Sequence, residues 1–434
     1  MIPNEIIRRR PIAAIFVAAI VCAQTAFADE TTTTKDPYVT AQEDFKAERY
    51  AAAILSIRAA LQADADDPRA APIRMYLAEA LLFERRAAEA AIEYEAFLQS
   101  VDDGEVKSLA TYRRIEALYF ADDFATVVAE AGTFLDDHPR HSGAPRVWIY
   151  LGNSYSHLGD YAAAEAAMAR VAADFPDDVL IEHALPAQAS LLLTLDRPQA
   201  AWVVLSARLR HQPEGKDKLI EELAGNALNA LGNEAIDHNR FDDADGHFDR
   251  LIKLFPRHPS APYAALRRAE IAQLQGDWET AAERFDAAIK LCDADLDCLA
   301  SAWLGRISCL AQEQRWDEVA SLAASAKTRC NQWPRAYEFD YLRGRALFAD
   351  AELNDARTAF ANVAASPASA GTETGVLAHF MTAEIHRLQK NYEPALVEYD
   401  TVAAAAFPEW QDEAQAQAQQ IRKHLAALKN FERK

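Results

Sequence analysis

Cysteine, glycine, proline and basic residues are all scarce in this sequence. The 434 residues include 5 Cys, too few for a disulfide-stapled scaffold, and 14 Gly and 18 Pro, too few for a fibrous protein. Lys and Arg number 45 against 66 Asp and Glu, so the formal net charge is −21. That charge argues against nucleic acid as the main ligand, because phosphate binding needs a basic surface. Half of the residues are hydrophobic, which excludes a disordered chain, and the abundance of alanine, the best helix former, predicts a mostly helical protein.

Long apolar runs are also missing from the chain after its N-terminal segment. No stretch there approaches the ~18 apolar residues of a membrane-spanning helix. The N-terminus itself has three arginines at 8–10, an apolar run over 11–22 and a small-x-small site that ends at Ala28. This order is typical of a secretory signal peptide, and the apolar run is too short to cross a bilayer. We therefore expect residues 1–28 to be a signal peptide cleaved after Ala28. The mature chain is then periplasmic or secreted and has no transmembrane segment. The alternative interpretation of the apolar run over 11–22 is a buried core helix.

An internal repeat runs through the rest of the chain. In its clearest copies an aromatic residue is followed by alanine three positions later and by a bulky apolar residue four positions after that. Successive copies are separated by 37, 37, 37, 37, 43, 37, 38, 37 and 39 residues, a regularity that indicates a repeat architecture. The ten copies start at Tyr50, Ala87, Phe124, Tyr161, Pro198, Phe241, Trp278, Trp316, Leu353 and Tyr392.

The segment 147–176 shows what one copy builds. Apolar side chains from Trp148 to Tyr155 lie three or four residues apart, so they share one face of a first helix. Gly159-Asp160 predicts a turn, and the same spacing recurs from Tyr161 to Val171 before Pro176 ends the pattern. Each copy is therefore predicted to be a pair of helices joined by a tight turn, which must stack on its neighbours to bury both apolar faces.

This unit resembles the tetratricopeptide repeat (TPR) consensus. W-x2-L-G-x2-Y spans residues 148–155, L-G-D-Y-x2-A spans 158–164, and F-P closes the unit at 175–176. The resemblance covers about Pro37 to Phe407. It implies an all-α, right-handed superhelical solenoid of about ten helix-turn-helix repeats, in which the first helices form a concave surface that binds proteins, without catalysis or a cofactor.

The single 43-residue spacing divides the copies into two groups. Its six extra residues fall at 211–216, where Pro and Gly together mark a break in the helical run. We expect an N-terminal array at 29–210, a longer inter-repeat segment at 211–217, a C-terminal array at 218–410 and a polar capping helix at 411–434. The segment is either a longer loop or a hinge.

The sequence contains no catalytic, phosphate-binding or metal-binding signature. Three aspartates between 293 and 297 imitate the start of a calcium loop but lack its glycine and its final carboxylate. His379 and His386 lie two turns apart on one predicted helix and have no third converging ligand. We interpret the aspartates as a solvated loop and the histidines as surface or packing residues, and we expect no metal and no cofactor.

Four cysteines follow the predicted signal peptide, and clustered cysteines in an exported chain suggest a disulfide. Cys298 precedes the first helix of the eighth unit and Cys330 ends its second helix, so the pair Cys298–Cys330 is the first choice. Cys292–Cys298 is the second choice, and Cys309 is interpreted as a small core residue. The remaining alternative is no disulfide at all.

The candidate binding groove consists of first-helix residues that do not point into their own hairpin. Aromatic residues and arginine are favoured at the centres of interfaces, and asparagine can hold a peptide backbone by hydrogen bonds. Packing between neighbouring repeats is the alternative for each residue. The candidates are Tyr76, Phe83, Tyr112, Tyr119, Phe120, Asn226, Asn229, Asn233, Tyr341, Arg345, Phe348, Phe380 and Arg387.

These features together predict an exported scaffold that binds protein partners in the bacterial cell envelope. The Phe-Pro-x-x-Pro segment at 255–259 resembles envelope TPR proteins linked to the Tol-Pal system and to outer-membrane assembly. A subunit of such an assembly or secretion complex is therefore one alternative. A peptidoglycan-acting enzyme with a helical superhelix is another, but no stretch outside the repeats is long enough for a catalytic domain.

Overall fold

A computed structural model of the chain describes residues 36–64, 67–211 and 217–432. The regular secondary structure of these residues is entirely helical, which confirms the predicted all-α repeat fold. The predicted signal peptide, with its cleavage site at Ala28, and residues 212–216 of the predicted inter-repeat segment lie outside the described residues.

The described chain contains twenty-one α-helices, which pair in order into ten hairpins followed by one last helix. The helices are α1 (Pro37–Lys46), α2 (Tyr50–Ala63), α3 (Ala70–Phe83), α4 (Ala87–Leu98), α5 (Gly104–Phe120), α6 (Phe124–Asp137), α7 (Ala144–His157), α8 (Tyr161–Asp174), α9 (Ile181–Thr194), α10 (Pro198–His211), α11 (Lys218–Asp237), α12 (Phe241–Leu254), α13 (Ala261–Leu274), α14 (Trp278–Leu291), α15 (Leu296–Gln312), α16 (Trp316–Arg329), α17 (Tyr337–Ala349), α18 (Leu353–Ala365), α19 (Glu373–Leu388), α20 (Tyr392–Ala403) and α21 (Pro408–Glu432). The second helix of every hairpin begins at the residue where the sequence repeat starts.

All ten hairpins turn through a residue in the left-handed backbone conformation, two positions before the second helix. In the fourth hairpin this residue is Gly159, and the next N–H, of Asp160, donates back to the carbonyl of Tyr155 at 2.9 Å. Only two of the ten residues are glycine, so in the other eight hairpins the packing of the helices imposes a conformation that costs free energy for a residue with a Cβ. The ten residues are Glu48, Arg85, Asp122, Gly159, Asp196, Asn239, Gly276, Gln314, Ala351 and Lys390.

Small residues allow the two helices of a hairpin to approach closely. Ala164 on α8 is fully buried, and a Cβ built on Gly152 of α7 would lie 3.2 Å from its carbonyl oxygen and 2.9 Å from Met168 Cε. The sixth hairpin uses the same arrangement, because a Cβ on Gly232 of α11 would lie 2.4 Å from the ring of Phe248. The abundance of alanine thus reflects helix crossings as well as helix propensity.

The described chain forms two compact units that separate inside α11, between Ala224 and Gly225. Unit 1, the N-terminal one, has a core that runs from Tyr38 in α1 to Ala167 in α8. Unit 2, the C-terminal one, has a core centred on α14 to α17 and a second cluster under its last helix. The predicted division at 211–217 remains a prediction.

The last helix, α21, covers the end of unit 2. It begins at Pro408, three residues before the predicted start of the capping helix, and buries Ala414, Ala418 and Ile421 against the last hairpin. Its remaining surface is rich in glutamine and charged residues, as the terminal element of a stacked array requires. None of the helices in the described part of the chain has the length and hydropathy needed to cross a membrane.

Candidate protein-binding surfaces

Most of the candidate groove aromatics in unit 1 pack between neighbouring hairpins. Tyr112 on α5 is buried, and its hydroxyl accepts a hydrogen bond of 2.8 Å from Arg146 on α7. Burial raises the pKa of Tyr112 to about 12. The half-buried ring of Tyr119 stacks on Tyr150 with centroids 4.5 Å apart, and its hydroxyl accepts from the Asn153 amide at 3.1 Å. These tyrosines join α5 to α7. The alternative interpretation of a groove residue, packing between neighbouring repeats, therefore applies to both of them.

Of the remaining unit 1 candidates, Tyr76 lies in the middle of α3, and Phe83 and Phe120 are the last residues of α3 and α5. Tyr76 is half-buried, with its ring centroid 5.0 Å from that of Phe45. Phe83, the last residue of α3, is 54% exposed, although one face of its ring stacks on Tyr50 at 4.3 Å. Phe120 is half-buried, edge-on to Tyr150 at 5.9 Å. Of these candidates only Phe83 offers a large aromatic surface to a ligand.

A buried polar chain ties three hairpins of unit 1 together and was not predicted. Arg113 on α5 bonds Glu79 on α3, with Nε 2.6 Å from Oε1, and also pairs with Glu116 one turn along its own helix. Tyr94 donates to Glu79, and Tyr150 donates to Glu116 at 2.7 Å. The three charged side chains are at most 12% exposed. The signal in the sequence is that Glu79 and Glu116 recur at the repeat spacing, so both occupy the same position of a first helix.

The three candidate asparagines of unit 2 form a free amide row. Asn226, Asn229 and Asn233 are spaced three and four residues apart, which places them on one face of α11. Asn226 and Asn233 are exposed and Asn229 is half-buried. Within the described part of the chain no hydrogen bond involves these side chains, so each amide offers both a donor and an acceptor to a ligand.

The other unit 2 candidates are mostly engaged in packing. Phe380 lies between Tyr399 and Trp410, with ring centroids 5.8 and 5.6 Å away. Arg387 donates to Glu384 at 2.6 Å. The half-buried candidates Tyr341 and Phe348 pack against the α17–α18 cluster, and burial raises the pKa of Tyr341. Arg345 on α17 is the exposed member of this group.

A second exposed surface lies at the turns of the third and fourth hairpins and was also missed. The ring of Phe124, the first residue of α6, stacks on that of His157, the last residue of α7, at 4.2 Å and 4°. The exposed carboxylates of Asp122, Asp123 and Asp160 lie in the same two turns. The signal in the sequence is the pair of turn segments Ala-Asp-Asp and Leu-Gly-Asp, both between aromatic or histidine residues and both without a basic residue.

The disulfide joins Cys292 to Cys298, so the predicted first choice of Cys298–Cys330 is wrong and the second choice is correct. A short 3₁₀ helix at Cys292–Ala294 turns the chain, which brings the two Cα atoms to 5.3 Å, within the range of a disulfide. Cys330 and Cys309 are buried free thiols in the surrounding core. The prediction of Cys298–Cys330 relied on the antiparallel register of α15 and α16 and did not include this local turn.

The aspartates around this disulfide link adjacent hairpins. Asp295 caps α15 by accepting from the Cys298 N–H at 2.9 Å and accepts from the Tyr263 hydroxyl at 2.8 Å. Asp297 accepts from the Trp333 indole at 2.7 Å, and Asp293 pairs with Arg329. The chain here is therefore a structural clip that joins the seventh hairpin to the eighth and to the connection before the ninth.

The two histidines of α19 lie in separate environments. His379 is 2.6 Å from a carboxylate oxygen of Glu398 through Nδ1, whereas Nδ1 of His386 has no hydrogen-bond partner. Burial lowers the pKa of His386, and Arg357 lowers it further. Among the described residues no three His, Cys, Asp or Glu side chains are grouped as a metal site would require.

Comparison with known protein families finds matches in several of the hairpins. A family model described as tetratricopeptide repeat matches residues 38–105 and 229–295, and a second model with the same description matches 146–178. These stretches contain the first, second, fourth and seventh hairpins and most of the sixth. No curated protein matches the chain.

Several solved structures align with the chain at low identity. A tetratricopeptide repeat protein from Parabacteroides merdae ATCC 43184 is 14% identical over 62% of this chain and 98% of its own, with a TM-score of 0.30. Yeast Tom70 is 11% identical over 95% of this chain and 92% of its own, with a TM-score of 0.37. MamA (41-end) from Desulfovibrio magneticus RS-1 is 14% identical over 41% of this chain and 92% of its own, with a TM-score of 0.33.

Proposed function

Because the chain belongs to the tetratricopeptide repeat family, we propose that it is an exported scaffold that binds protein partners in the bacterial cell envelope. Repeats of this family suggest a protein-binding scaffold. The proposed mechanism is binding alone: a segment of a partner lies along the first helices and is held by side chains that the hairpins leave free.

The observation that carries this proposal is the amide row of Asn226, Asn229 and Asn233. An extended peptide presents alternating N–H and C=O groups, and a side-chain amide can satisfy one of each. Amides that are exposed along one helix face are suited to binding a peptide main chain irrespective of its sequence. Arg345 on α17 and Phe83 on α3 are the other candidates with exposed side chains.

The proposed location depends on the sequence of residues 1–28. A basic start, a short apolar run and a site that ends at Ala28 are the components of a secretory signal. Edman sequencing of the protein purified from the periplasmic fraction tests this part. We expect the mature chain to start at Asp29, and an intact N-terminus in the cytoplasmic fraction would contradict export.

Co-purification from crosslinked envelopes tests the scaffold function. We compare the parent with N226A/N229A/N233A, in which the amide row is removed from an exposed helix face where alanine favours the helix. The matched control is Q415A/Q419A/Q420A, which removes three exposed amides from α21. We expect specific partners with the parent and the control and a loss of at least one partner with the Asn variant. Identical partners for all three proteins would contradict the role of the amide row.

A subunit of a Tol-Pal-type or outer-membrane assembly complex is the more specific form of the same function. The Phe-Pro-x-x-Pro segment at 255–259 is the feature that favours it. The rival is a peptidoglycan-acting enzyme. Clearing of purified cell wall in a zymogram by the parent protein would favour the enzyme and contradict a mechanism of binding alone.

A further inference from the structure

The turns of the third and fourth hairpins form one continuous exposed surface on unit 1. We call it the acidic turn patch and define it by Asp122, Asp123, Phe124, His157, Asp160 and Tyr161. The 4.2 Å stack of Phe124 on His157 joins the two turns. Tyr161 is 41% exposed, and Leu158 beside it is 53% exposed. Both turns therefore present apolar or aromatic surface together with carboxylates.

The three carboxylates of the patch have no cationic partner within the described part of the chain. Asp123 and Asp160 each cap a second helix, accepting from the N–H of Thr126 at 3.2 Å and of Ala163 at 3.0 Å. Capping fixes where these carboxylates lie but leaves their negative charges unpaired. Asp122 is held in the left-handed turn position with a φ of 59° and is exposed. The patch is thus a fixed set of negative charges beside aromatic rings.

Most of the other described turns of the molecule contain a Lys or Arg of their own. In the first hairpin Arg49 pairs with Asp44 at 2.6 Å, and in the second Arg86 pairs with Glu89 at 2.7 Å. In unit 2 the turns contain Arg240 and Arg315, both ion-paired. The turn segments at 121–123 and 158–160 contain no Lys or Arg. The turn segments at 275–277 and 350–352 also lack Lys and Arg, but they belong to the seventh and ninth hairpins, which are not consecutive. Among the ten described turns, the acidic turn patch is therefore the one place where two consecutive turns both lack a cation.

We propose that the acidic turn patch binds an arginine-containing extended segment of a partner protein. This inference rests on the proposed scaffold function and assigns a chemical class to one partner of unit 1. A planar guanidinium stacks flat on aromatic rings and donates to two carboxylate oxygens through a fixed fork, whereas an ammonium is a compact point charge without that geometry. Consecutive first helices pack about 10 Å apart, and an extended chain advances ~3.3 Å per residue. Two arginines separated by two residues therefore match the two turns.

A fluorescence-anisotropy titration of the full chain tests the inference. The probe is a labelled eight-residue peptide of Gly and Ser with two arginines separated by Gly-Ser, and its analogues have lysine or glutamate at both positions. We expect saturable binding of the arginine peptide, weaker binding of the lysine peptide and none of the glutamate peptide. No saturable binding of the arginine peptide, or equal binding of the arginine and glutamate peptides, would overturn the inference.

The decisive variant is D122N/D123N/D160N, since asparagine keeps the capping oxygen and removes the charge. We expect the arginine peptide to bind about tenfold more weakly to this variant. The matched control D242N/D277N/D317N removes three exposed charges from the corresponding helix starts of unit 2 and should change the affinity by less than about twofold. Equal weakening in both variants would show a general effect of net charge and overturn the inference.

A second variant keeps the test independent of the caps. Tyr161→Leu preserves an apolar side chain but removes the π face, so we expect about threefold weaker binding of the arginine peptide and little change for the lysine peptide. Unchanged affinity for the arginine peptide would overturn the aromatic part of the proposal. If the envelope co-purification succeeds while the peptide does not bind, this inference is wrong and the scaffold function stands. If both fail, the scaffold function is wrong as well.

Discussion

Unit 1 and unit 2 each contain a polar tie between consecutive hairpins, but the chemistry of the two ties differs. In unit 1 the tie is the buried chain of Glu79, Arg113 and Glu116, which bonds first helix to first helix inside the structure. In unit 2 it is the clip formed by the buried Cys292–Cys298 disulfide and three nearby aspartates, at the connection between hairpins. The repeat pattern specifies the apolar packing common to both units, whereas polar ties outside that pattern distinguish them.

The largest expected effect is the loss of the central cation of unit 1. Arg113→Met leaves Glu79 and Glu116 buried without their partner, and we expect unfolding to become easier by about 4 kcal/mol. The matched change in unit 2 is Arg387→Met, where the arginine is 38% exposed and a loss below about 1 kcal/mol is expected. Urea unfolding followed by circular dichroism measures both. Equal losses would contradict the claim that burial makes the Arg113 ion pairs more important for stability than the more exposed Arg387–Glu384 pair.

Overpacking a helix crossing is expected to have the next largest effect. Ala164→Trp places a large ring where α7 and α8 approach most closely, and we expect a loss of about 3 kcal/mol. Ala166→Trp on the exposed face of the same helix is the control and should melt like the parent. A parent-like melting curve for Ala164→Trp would mean that the hairpin register is wrong.

Removal of the covalent part of the unit 2 clip should cost about 2 kcal/mol, the chain entropy released from a short loop. The measurement is urea unfolding of C292S/C298S against the oxidised parent. Dithiothreitol should lower the stability of the parent to the same extent and should not affect the variant. An equal effect of the reductant on both proteins would mean that it does not act through the Cys292–Cys298 disulfide and would contradict this prediction.

The smallest effect concerns the left-handed turn residues. Ala351 has a φ of 62°, so Ala351→Gly should stabilise unit 2 by about 1 kcal/mol. Gly159 has a φ of 84°, and Gly159→Ala in unit 1 should destabilise by a similar amount. Thermal melts of the two variants check the pair, and the same sign of change in both would contradict the shared turn geometry.

The repeat itself could be predicted because its period lies in residues that every hairpin buries. The aromatic or apolar residue at each copy start is the first residue of a second helix, and the alanine at a crossing such as Ala164 has no room for a larger side chain. Family resemblance and spacing therefore predicted the second helices and the capping helix, to within three residues at Pro408.

The site could be predicted only in part, because periodicity does not show which first-helix side chains a neighbouring hairpin covers. Tyr112 and Tyr119 share the register of a groove residue, yet both are bonded to side chains of α7. Asn226 and Asn233, in contrast, are exposed, and their role in a groove stays a prediction. The pairing of Cys292 with Cys298 depended on a three-residue 3₁₀ helix, and the Glu79–Arg113–Glu116 chain depended on contacts 34 residues apart that only the folded structure brings together.

Site-specific photocrosslinking in living cells tests the central claim, that free side chains on the first helices bind a partner. A photoreactive amino acid replaces Asn233 on α11 in one strain and Gln415 on α21 in another, both of which are exposed positions in unit 2. The account predicts a discrete, higher-mass adduct from position 233 in the envelope fraction and none from position 415. Adducts of the same mass from both positions, or an adduct from position 415 alone, would contradict it.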